Sequence, residues 1–198
     1  VVPPPRMVEF LERRAIDGFC VGEPWNSLAV GRGVGRILVT KYEIWNNSPE
    51  KVFAVTHRFA EQRPELHRAL LRALIEAAAW ADAPENRREV AHLLAGERYI
   101  GVPEDVLSTS LTGRLRTAPD APALSCPDFH VFHRYAAGFP WISQAAWLLL
   151  QMLRWGQVAE PIDVLASARE TYRPDLYREA ARELGLPSPV SDTKSEGT

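Results

Sequence analysis

The chain has 198 residues, of which 46% are hydrophobic and 24% are charged, and its formal net charge is −2. This composition is typical of a folded globular protein and not of a disordered chain. Acidic and basic residues are interspersed, which excludes a broad basic surface, so we expect no nucleic-acid partner. The longest strongly apolar run, Ala145 to Leu153, is interrupted by Gln151 and is shorter than the ~20 residues that a membrane-spanning helix needs.

The start of the chain resembles the interior of a domain. Residues 1–5, VVPPP, contain no initiator Met, no basic segment and no apolar signal core. They run directly into residues 6–15, where apolar and charged positions follow the pattern of an amphipathic helix. We therefore expect the chain to begin inside a larger domain.

Residues 17–26, DGFCVGEPWN, predict a short buried strand that breaks into a turn and restarts as a helix. Phe19, Cys20 and Val21 form an apolar run that is too short for a helix, and Cys20 is expected to be a small buried hydrophobic residue. Pro24 suits the first turn of a helix. The pattern thus predicts a strand-to-helix corner.

This corner is the candidate binding site. It places a carboxylate, an indole and an amide side by side, and α/β folds bind ligands near the carboxyl ends of strands. The alternative is that the same residues serve only packing and turn formation. The candidate ligand-binding residues are Gly22, Glu23, Pro24 and Trp25, with Asn26 beside them.

Residues 31–56 are predicted to hold short strands. One strand covers Arg36 to Thr40 and continues through Lys41 to Trp45, and another covers Val52 to Thr56. A turn cluster, Asn46 to Pro49, separates them.

Residues 57–186 are predicted to be mostly helical. The clearest pattern runs from His57 to Asp82, with Pro64 restarting the helix and leucines recurring at helical spacing. A strand is expected at Phe129 to Phe132. Further helices are expected at about residues 84–95, 103–111, 141–155, 163–171 and 174–184. The polar composition of residues 187–198 predicts a disordered tail.

Common catalytic motifs do not occur in the chain. It has no G-x-S-x-G, no Walker A loop, no C-x-x-C and no H-E-x-x-H. Its two cysteines, Cys20 and Cys126, indicate neither a disulfide framework nor a zinc cluster. We therefore expect no catalytic residues and no enzyme, but a protein that binds its ligand without a chemical step.

Several motifs together resemble the nitrate- and bicarbonate-binding proteins of bacterial ABC importers. The matching segments appear in the same order over residues 1 to about 186, and the Gly-Glu-Pro-Trp-Asn and Arg-Trp-Gly strings are the most specific. These segments are Pro3–Val8, Asp17–Asn26, Ile44–Trp45, Pro49–Val52, Phe139–Trp141, Gln144–Trp147 and Arg154–Gln157.

The resemblance implies an α/β fold of the type II periplasmic-binding-protein class, in which two lobes hold the anion between them. This chain would be a C-terminal portion of that fold. Residues 1–30 would end the second lobe and include the Gly-Glu-Pro-Trp site, and residues 31–56 would be crossover strands. Residues 57–186 would form the C-terminal part of the first lobe, followed by the tail at 187–198.

Three kinds of relative share these motifs. One is a periplasmic, membrane-associated importer subunit that passes its anion to an ABC permease and is anchored upstream of this segment. The others are a cytosolic nitrate sensor that controls a regulatory partner, and a sensor domain fused to an importer ATPase. An enzyme of thiamine-precursor synthesis is a further alternative, but it would need a His- and Cys-rich site that the chain lacks.

The resemblance also raises the question of how Glu23 tolerates an anion. Trp25 would supply an aromatic wall and an N–H donor, and Lys41 would supply a cation if the crossing strand faces the site. An ionised Glu23 would repel the anion unless it points away, is protonated, or shares a bridging cation. Glu23 would be a metal ligand only in that last case, with calcium if the ligand is bicarbonate. Alternatively, Glu23 caps the following helix.

Overall fold

The structure is a computed structural model that describes residues 1–159 and 161–195. The described part contains ten α-helices, three short 3₁₀ turns and one pair of two-residue strands. None of the helices within these ranges combines the length and the apolar character that crossing a membrane requires. The chain divides into two compact units. Unit 1 comprises Val1–Asn47 and Ala81–Val131, and unit 2 comprises Ser48–Trp80 and the residues from Phe132 onward.

The helices are α1 Met7–Glu12, α2 Trp25–Gly31, α3 Lys41–Ile44, α4 His57–Gln62, α5 Pro64–Asp82, α6 Arg87–Ala95, α7 Glu104–Leu111, α8 Ile142–Arg154, α9 Val164–Thr171 and α10 Pro174–Glu183. The strands are β1 Arg114–Leu115 and β2 Leu124–Ser125. They pair antiparallel, with Arg114 opposite Ser125 and Leu115 opposite Leu124.

Unit 1 is built on α7, which packs against α6, α2 and β1, while α1 packs against α2. Each of these elements contributes apolar side chains that are almost fully buried. Removing such side chains from water is the main favourable contribution to folding. Examples are Val8 of α1, Leu28 of α2, Val90 of α6, Leu107 of α7 and Leu115 of β1.

Two apolar clusters lie among the described residues of unit 2. In the first, Ile75 of α5 and Tyr177 of α10 lie in one cluster with Phe139 and Trp141. In the second, Ile142 and Ala145 of α8 contact Ala168 of α9. The helical spacing of the sequence anticipates these faces, because residues three and four apart lie on the same side of a helix.

Residues 187–195 form no helix or strand, and the disordered tail expected at 187–198 stays a prediction. Arg178 of α10 donates from Nε to the carbonyl of Pro189 at 2.8 Å and from Nη2 to Oδ1 of Asp192 at 2.6 Å. The backbone N–H of Ile142 donates to the carbonyl of Asp192 at 2.9 Å. These carbonyls and the carboxylate thus accept from donors on α8 and α10. Residues 196–198 of the predicted tail lie outside the described residues.

The predicted strands at Phe19–Val21, Arg36–Thr40, Val52–Thr56 and Phe129–Phe132 are wrong for this structure, since none of them forms a strand. A strand needs a neighbouring strand with which to exchange hydrogen bonds, and an apolar run does not specify that neighbour. Ile37, for example, makes a single backbone bond of 2.8 Å, to the carbonyl of Thr117.

The continuation of the crossover strand through Lys41 is also wrong, because these residues form α3. Thr40 and Glu43 make a capping box: the backbone N–H of Glu43 donates to Oγ1 of Thr40 at 3.2 Å, and the backbone N–H of Thr40 donates to Oε2 of Glu43 at 2.7 Å. Local capping thus overrides the strand pattern of this segment. The assignment of segments to lobes stays a prediction.

Candidate functional site

The corner at residues 22–26 closes through two local hydrogen bonds. The side-chain amide of Asn26 donates to the carbonyl of Val21 at 2.8 Å. The backbone N–H of Ser27 donates to Oε2 of Glu23 at 3.1 Å. Pro24 is buried and follows a cis peptide bond. It is the residue immediately before α2, whereas the sequence predicted it in the first turn of the helix. The corner is therefore a fixed turn that places the first residue of α2, Trp25.

Packing of α2 fixes this corner in unit 1. Its residues Leu28, Ala29 and Val30 are all nearly fully buried. Because α2 packs against α1 and α7, the orientation of its first turn follows from the core. Cys20, predicted to be buried, is instead exposed, since the segment before the corner belongs to no sheet.

Glu23 is a cap for α2, one of the two roles that the sequence left open. Its carboxylate accepts from the N–H of the third residue of the helix, one of the donors that a helix start leaves without an intrahelical partner. Burial raises the pKa of the Glu23 carboxyl above its ordinary value of 4.5, and the hydrogen bond from the backbone N–H of Ser27 partly offsets that rise.

The raised pKa makes a prediction about stability. The unfolded chain has the ordinary pKa, so between the two pKa values the native state binds more protons, and stability falls as the pH rises. Glu23→Gln removes this titration. We expect the free energy of unfolding of the wild type, relative to Glu23→Gln, to decrease from pH 4 to pH 7 in urea titrations.

The exposed Glu12, replaced by Gln, controls for the general loss of one negative charge. The free energy of unfolding of the wild type minus that of Glu23→Gln should change between the two pH values. A constant difference would contradict the assigned burial of this carboxyl.

Trp25 is half-buried at the first position of α2. Its indole N–H makes no hydrogen bond with any residue that the structure describes. The ring thus offers an aromatic surface and an available donor next to the capped carboxylate. Gly22, by contrast, is exposed and contributes only backbone to the corner.

Lys41 lies on a different element from the other candidates. It is the exposed first residue of α3 and not part of a crossing strand. The structure therefore brings together Gly22, Glu23, Pro24 and Trp25 as one corner, and places Lys41 on its own helix in the same unit.

Within residues 1–159 and 161–195, the side chains show no cluster of metal ligands. Among those described, no three His, Cys, Asp or Glu side chains are grouped so that they could hold a metal ion. Calcium takes six to eight oxygen ligands, and Glu23 already accepts the N–H of Ser27. The corner alone does not fit a calcium site.

Sequence reasoning missed Ser27, whose backbone N–H holds the Glu23 carboxylate. The available signal was its place in the first turn of α2, where backbone N–H groups have no intrahelical acceptor. Sequence reasoning also did not predict that the side-chain amide of Asn26 donates to the carbonyl of Val21.

Comparison with known proteins identifies relatives of the chain. Residues 1–95 match the model of the NMT1-like family. The chain is 38% identical to the nitrate import ATP-binding protein NrtC of Synechocystis sp. over 96% of its length, and 34% identical to the bicarbonate transport ATP-binding protein CmpC of Synechococcus elongatus over 98%. The crystal structure of the periplasmic nitrate-binding protein NrtA from Synechocystis matches 99% of the chain, with a TM-score of 0.93 and 31% identity.

The chain is similar to proteins of nitrate and bicarbonate transport, among them the nitrate-binding protein NrtA and the bicarbonate-binding protein CmpA. The resemblance expected from the Gly-Glu-Pro-Trp-Asn and Arg-Trp-Gly strings is confirmed, and so is the periplasmic-binding-protein-like fold class. The chain spans 52% of the solved NrtA chain and 28% of each of the two ATP-binding relatives.

Proposed function

We propose that the polypeptide carrying residues 1–198 binds nitrate or bicarbonate as the solute-binding part of an ABC importer. It performs no chemical step and is not an enzyme. The observation that carries the proposal is the available indole donor of Trp25 at a fixed corner, in a chain that matches a nitrate-binding protein over 99% of its length.

A small trigonal anion needs hydrogen-bond donors and a partly dehydrated surface, because loss of its hydration must be compensated. Trp25 provides one donor and an aromatic wall. In this proposal the Glu23 carboxylate keeps its hydrogen bond from the N–H of Ser27 and does not contact the anion. Lys41 supplies the positive charge in this proposal.

The proposed setting is periplasmic, with the protein attached to the membrane by an anchor outside this segment and passing its anion to an ABC permease. NrtA, the solved neighbour, is a periplasmic protein. Calcium enters the proposal only if the ligand is bicarbonate. Glu23 would then supply one of several ligands, and the others would lie outside the corner.

A second candidate function is a sensor domain within an importer ATPase subunit. In the same sequence comparison, the ATP-binding relative NrtC is 38% identical to this chain and NrtA of the same organism is 34% identical. In this role the anion would shift the domain between open and closed states by binding one of them better. A free cytosolic sensor that acts on a regulatory protein would use the same shift between open and closed states.

Isothermal calorimetry of the polypeptide that carries this chain tests the proposal, with nitrate and with bicarbonate, each with and without calcium. We expect one site, and at least about tenfold weaker binding in Trp25→Ala, which corresponds to ~1.4 kcal/mol. Trp155→Ala is the matched control, because Trp155 is 71% exposed and lies in unit 2.

Equal binding by both variants would refute the assigned role of Trp25, and no heat with either anion would refute anion binding. Hydrolysis of ATP that responds to the anion, in a polypeptide joining this chain to an ATPase domain, would favour the sensor role.

A further inference from the structure

The segment that follows α10 is attached to unit 2 mainly through hydrogen bonds. α10 ends in a Schellman motif, in which Gly185 has a φ of 69° and the N–H of Leu186 donates to the carbonyl of Ala181 at 2.8 Å. Leu186 still packs against the core cluster of unit 2. Beyond it, no residue from 187 to 195 is fully buried, and Val190 is 97% exposed. Apolar packing therefore anchors the chain as far as Leu186 and contributes little after it.

The guanidinium of Arg178 holds this segment from the side of α10. Its Nε donates to the carbonyl of Pro189, and its Nη2 lies within hydrogen-bond distance of three further oxygens. These are the carbonyls of Val190 and Ser191, at 2.9 and 3.1 Å, and Oδ1 of Asp192, at 2.6 Å. Nη2 carries two hydrogens, so acceptors share at least one of them. A lysine, with a single nitrogen, could not reproduce this planar fork of donors.

The first turn of α8 holds the segment from the other side. The N–H of Ile142 donates to the carbonyl of Asp192 at 2.9 Å, and the N–H of Lys194 donates to Oγ of Ser143 at 3.2 Å. The residue before α8, Trp141, makes no side-chain cap bond. The carbonyl of Asp192 therefore serves as acceptor for one of the donors that a helix start leaves open.

Two cations of these attachments lie over aromatic rings of the core cluster. The guanidinium carbon of Arg178 is 5.0 Å from the centre of the Phe139 ring, and Nζ of Lys194 is 5.4 Å from the centre of the Trp141 ring. The two rings are in edge contact, with 4.7 Å between their centres. Cation–π contacts of this kind add to the polar attachment.

We propose that residues 189–194 form a releasable strap, fastened by Arg178, that opens while the helices of unit 2 stay folded. The two apolar clusters described in unit 2 include none of the strap residues. Segments with few buried apolar contacts open at a lower free energy than the core does. Opening would leave the Arg178 fork and the N–H of Ile142 without these acceptors, so the strap controls whether those donors are available.

Tryptic cleavage after Lys194 tests the strap in the full 198-residue chain. Cleavage requires a free backbone, whereas the N–H of Lys194 is bonded to Ser143 when the strap is fastened. The cleavage rate therefore follows the population of the open strap when reclosing is fast. We expect Arg178→Gln to raise the rate at this bond, followed by mass spectrometry, by at least about tenfold. Hydrogen–deuterium exchange of the Ile142 amide should accelerate in parallel.

Arg182→Gln is the matched control, because Arg182 is an exposed residue of the same helix. It should cleave after Lys194 at the wild-type rate. Amide exchange at Leu149 and Ala181, which lie inside α8 and α10, should be unchanged in Arg178→Gln, since the helices stay folded when the strap opens.

Asp192→Asn provides a second variant if Arg178→Gln does not fold, because Asp192 is exposed and lies on the strap itself. It too should speed cleavage after Lys194. Wild-type cleavage as fast as that of a free peptide of residues 187–198 would overturn the proposal. So would equal rates in the wild type and the strap variants, equal acceleration in Arg182→Gln, or faster exchange inside α8 and α10. None of these outcomes depends on whether the protein binds an anion.

Discussion

Replacing Gly113 by alanine is expected to lower the free energy of unfolding by roughly 3 kcal/mol. Gly113 follows α7 with a φ of 67°, a left-handed conformation that side chains rarely adopt. A Cβ added there would lie 2.4 Å from the carbonyl oxygen of Cys126 and 3.0 Å from Cα of Pro127. Both are backbone atoms, and Gly113 also accepts the N–H of Cys126 at 2.7 Å, so relief would require breaking the connection between α7 and the strand pair.

Urea denaturation followed by circular dichroism measures this loss, and Gly33→Ala is the matched control. Gly33 lies in the same unit with a φ of 71°, but a Cβ there would meet no atom within 4 Å. Its substitution should cost only the backbone strain, about 1 kcal/mol. Equal losses for the two variants would show that the close contact with Cys126 does not matter.

Removing Asp82 is expected to cost about 3 kcal/mol. Arg87 and Asp82 are 5% and 4% exposed. Nη2 of Arg87 lies 2.5 Å from Oδ1 of Asp82 and 2.7 Å from the carbonyl oxygen of His130. Asp82→Ala therefore removes the carboxylate that pairs with this buried guanidinium, and breaking a buried ion pair from one side costs more than the pair itself contributes.

A double-mutant cycle with Asp82→Leu, Arg87→Met and the double variant measures this coupling by chemical denaturation. The double variant should be more stable than the sum of the two single effects predicts, because it leaves no isolated buried charge. The exposed pair Arg173–Asp175 is the control, and Asp175→Ala should cost at most about 1 kcal/mol. Strict additivity at Asp82 and Arg87 would contradict the account.

The helices were predictable because their information is local. The leucine spacing between His57 and Asp82, with a restart at Pro64, predicted the structure that is found, α4 ending at Gln62 and α5 beginning at Pro64. Proline at a helix start and a regular apolar face are properties of a few consecutive residues. The apolar faces of α5 could be located in the same way, but which of them would be buried could not.

The strands could not be predicted because a strand depends on residues far away in sequence. Arg36 to Thr40 resembles a strand, yet Leu38 and Val39 are 86% and 55% exposed, without a ladder to join. Hydrogen-bond partners and burial both come from neighbours that local composition does not encode. The same limit applies to residues 187–195, where Arg178 supplies donors that polar composition did not reveal.

At the corner, the sequence predicted which residues lie together but not the role of each residue. Glu23 had two candidate roles, and the hydrogen bond from Ser27 shows that it caps α2. That bond depends on the geometry of one turn, which spacing alone does not fix. The ligand-binding roles of Trp25 and Lys41 stay predictions.

A crystal structure of the polypeptide that carries this chain, grown with nitrate or bicarbonate, would test the central claim most directly. The account predicts the anion against the Trp25 ring, within hydrogen-bond distance of its indole N–H, while the Glu23 carboxylate still accepts from Ser27. An anion bound away from the corner, with the Trp25 indole still unbonded, would contradict it.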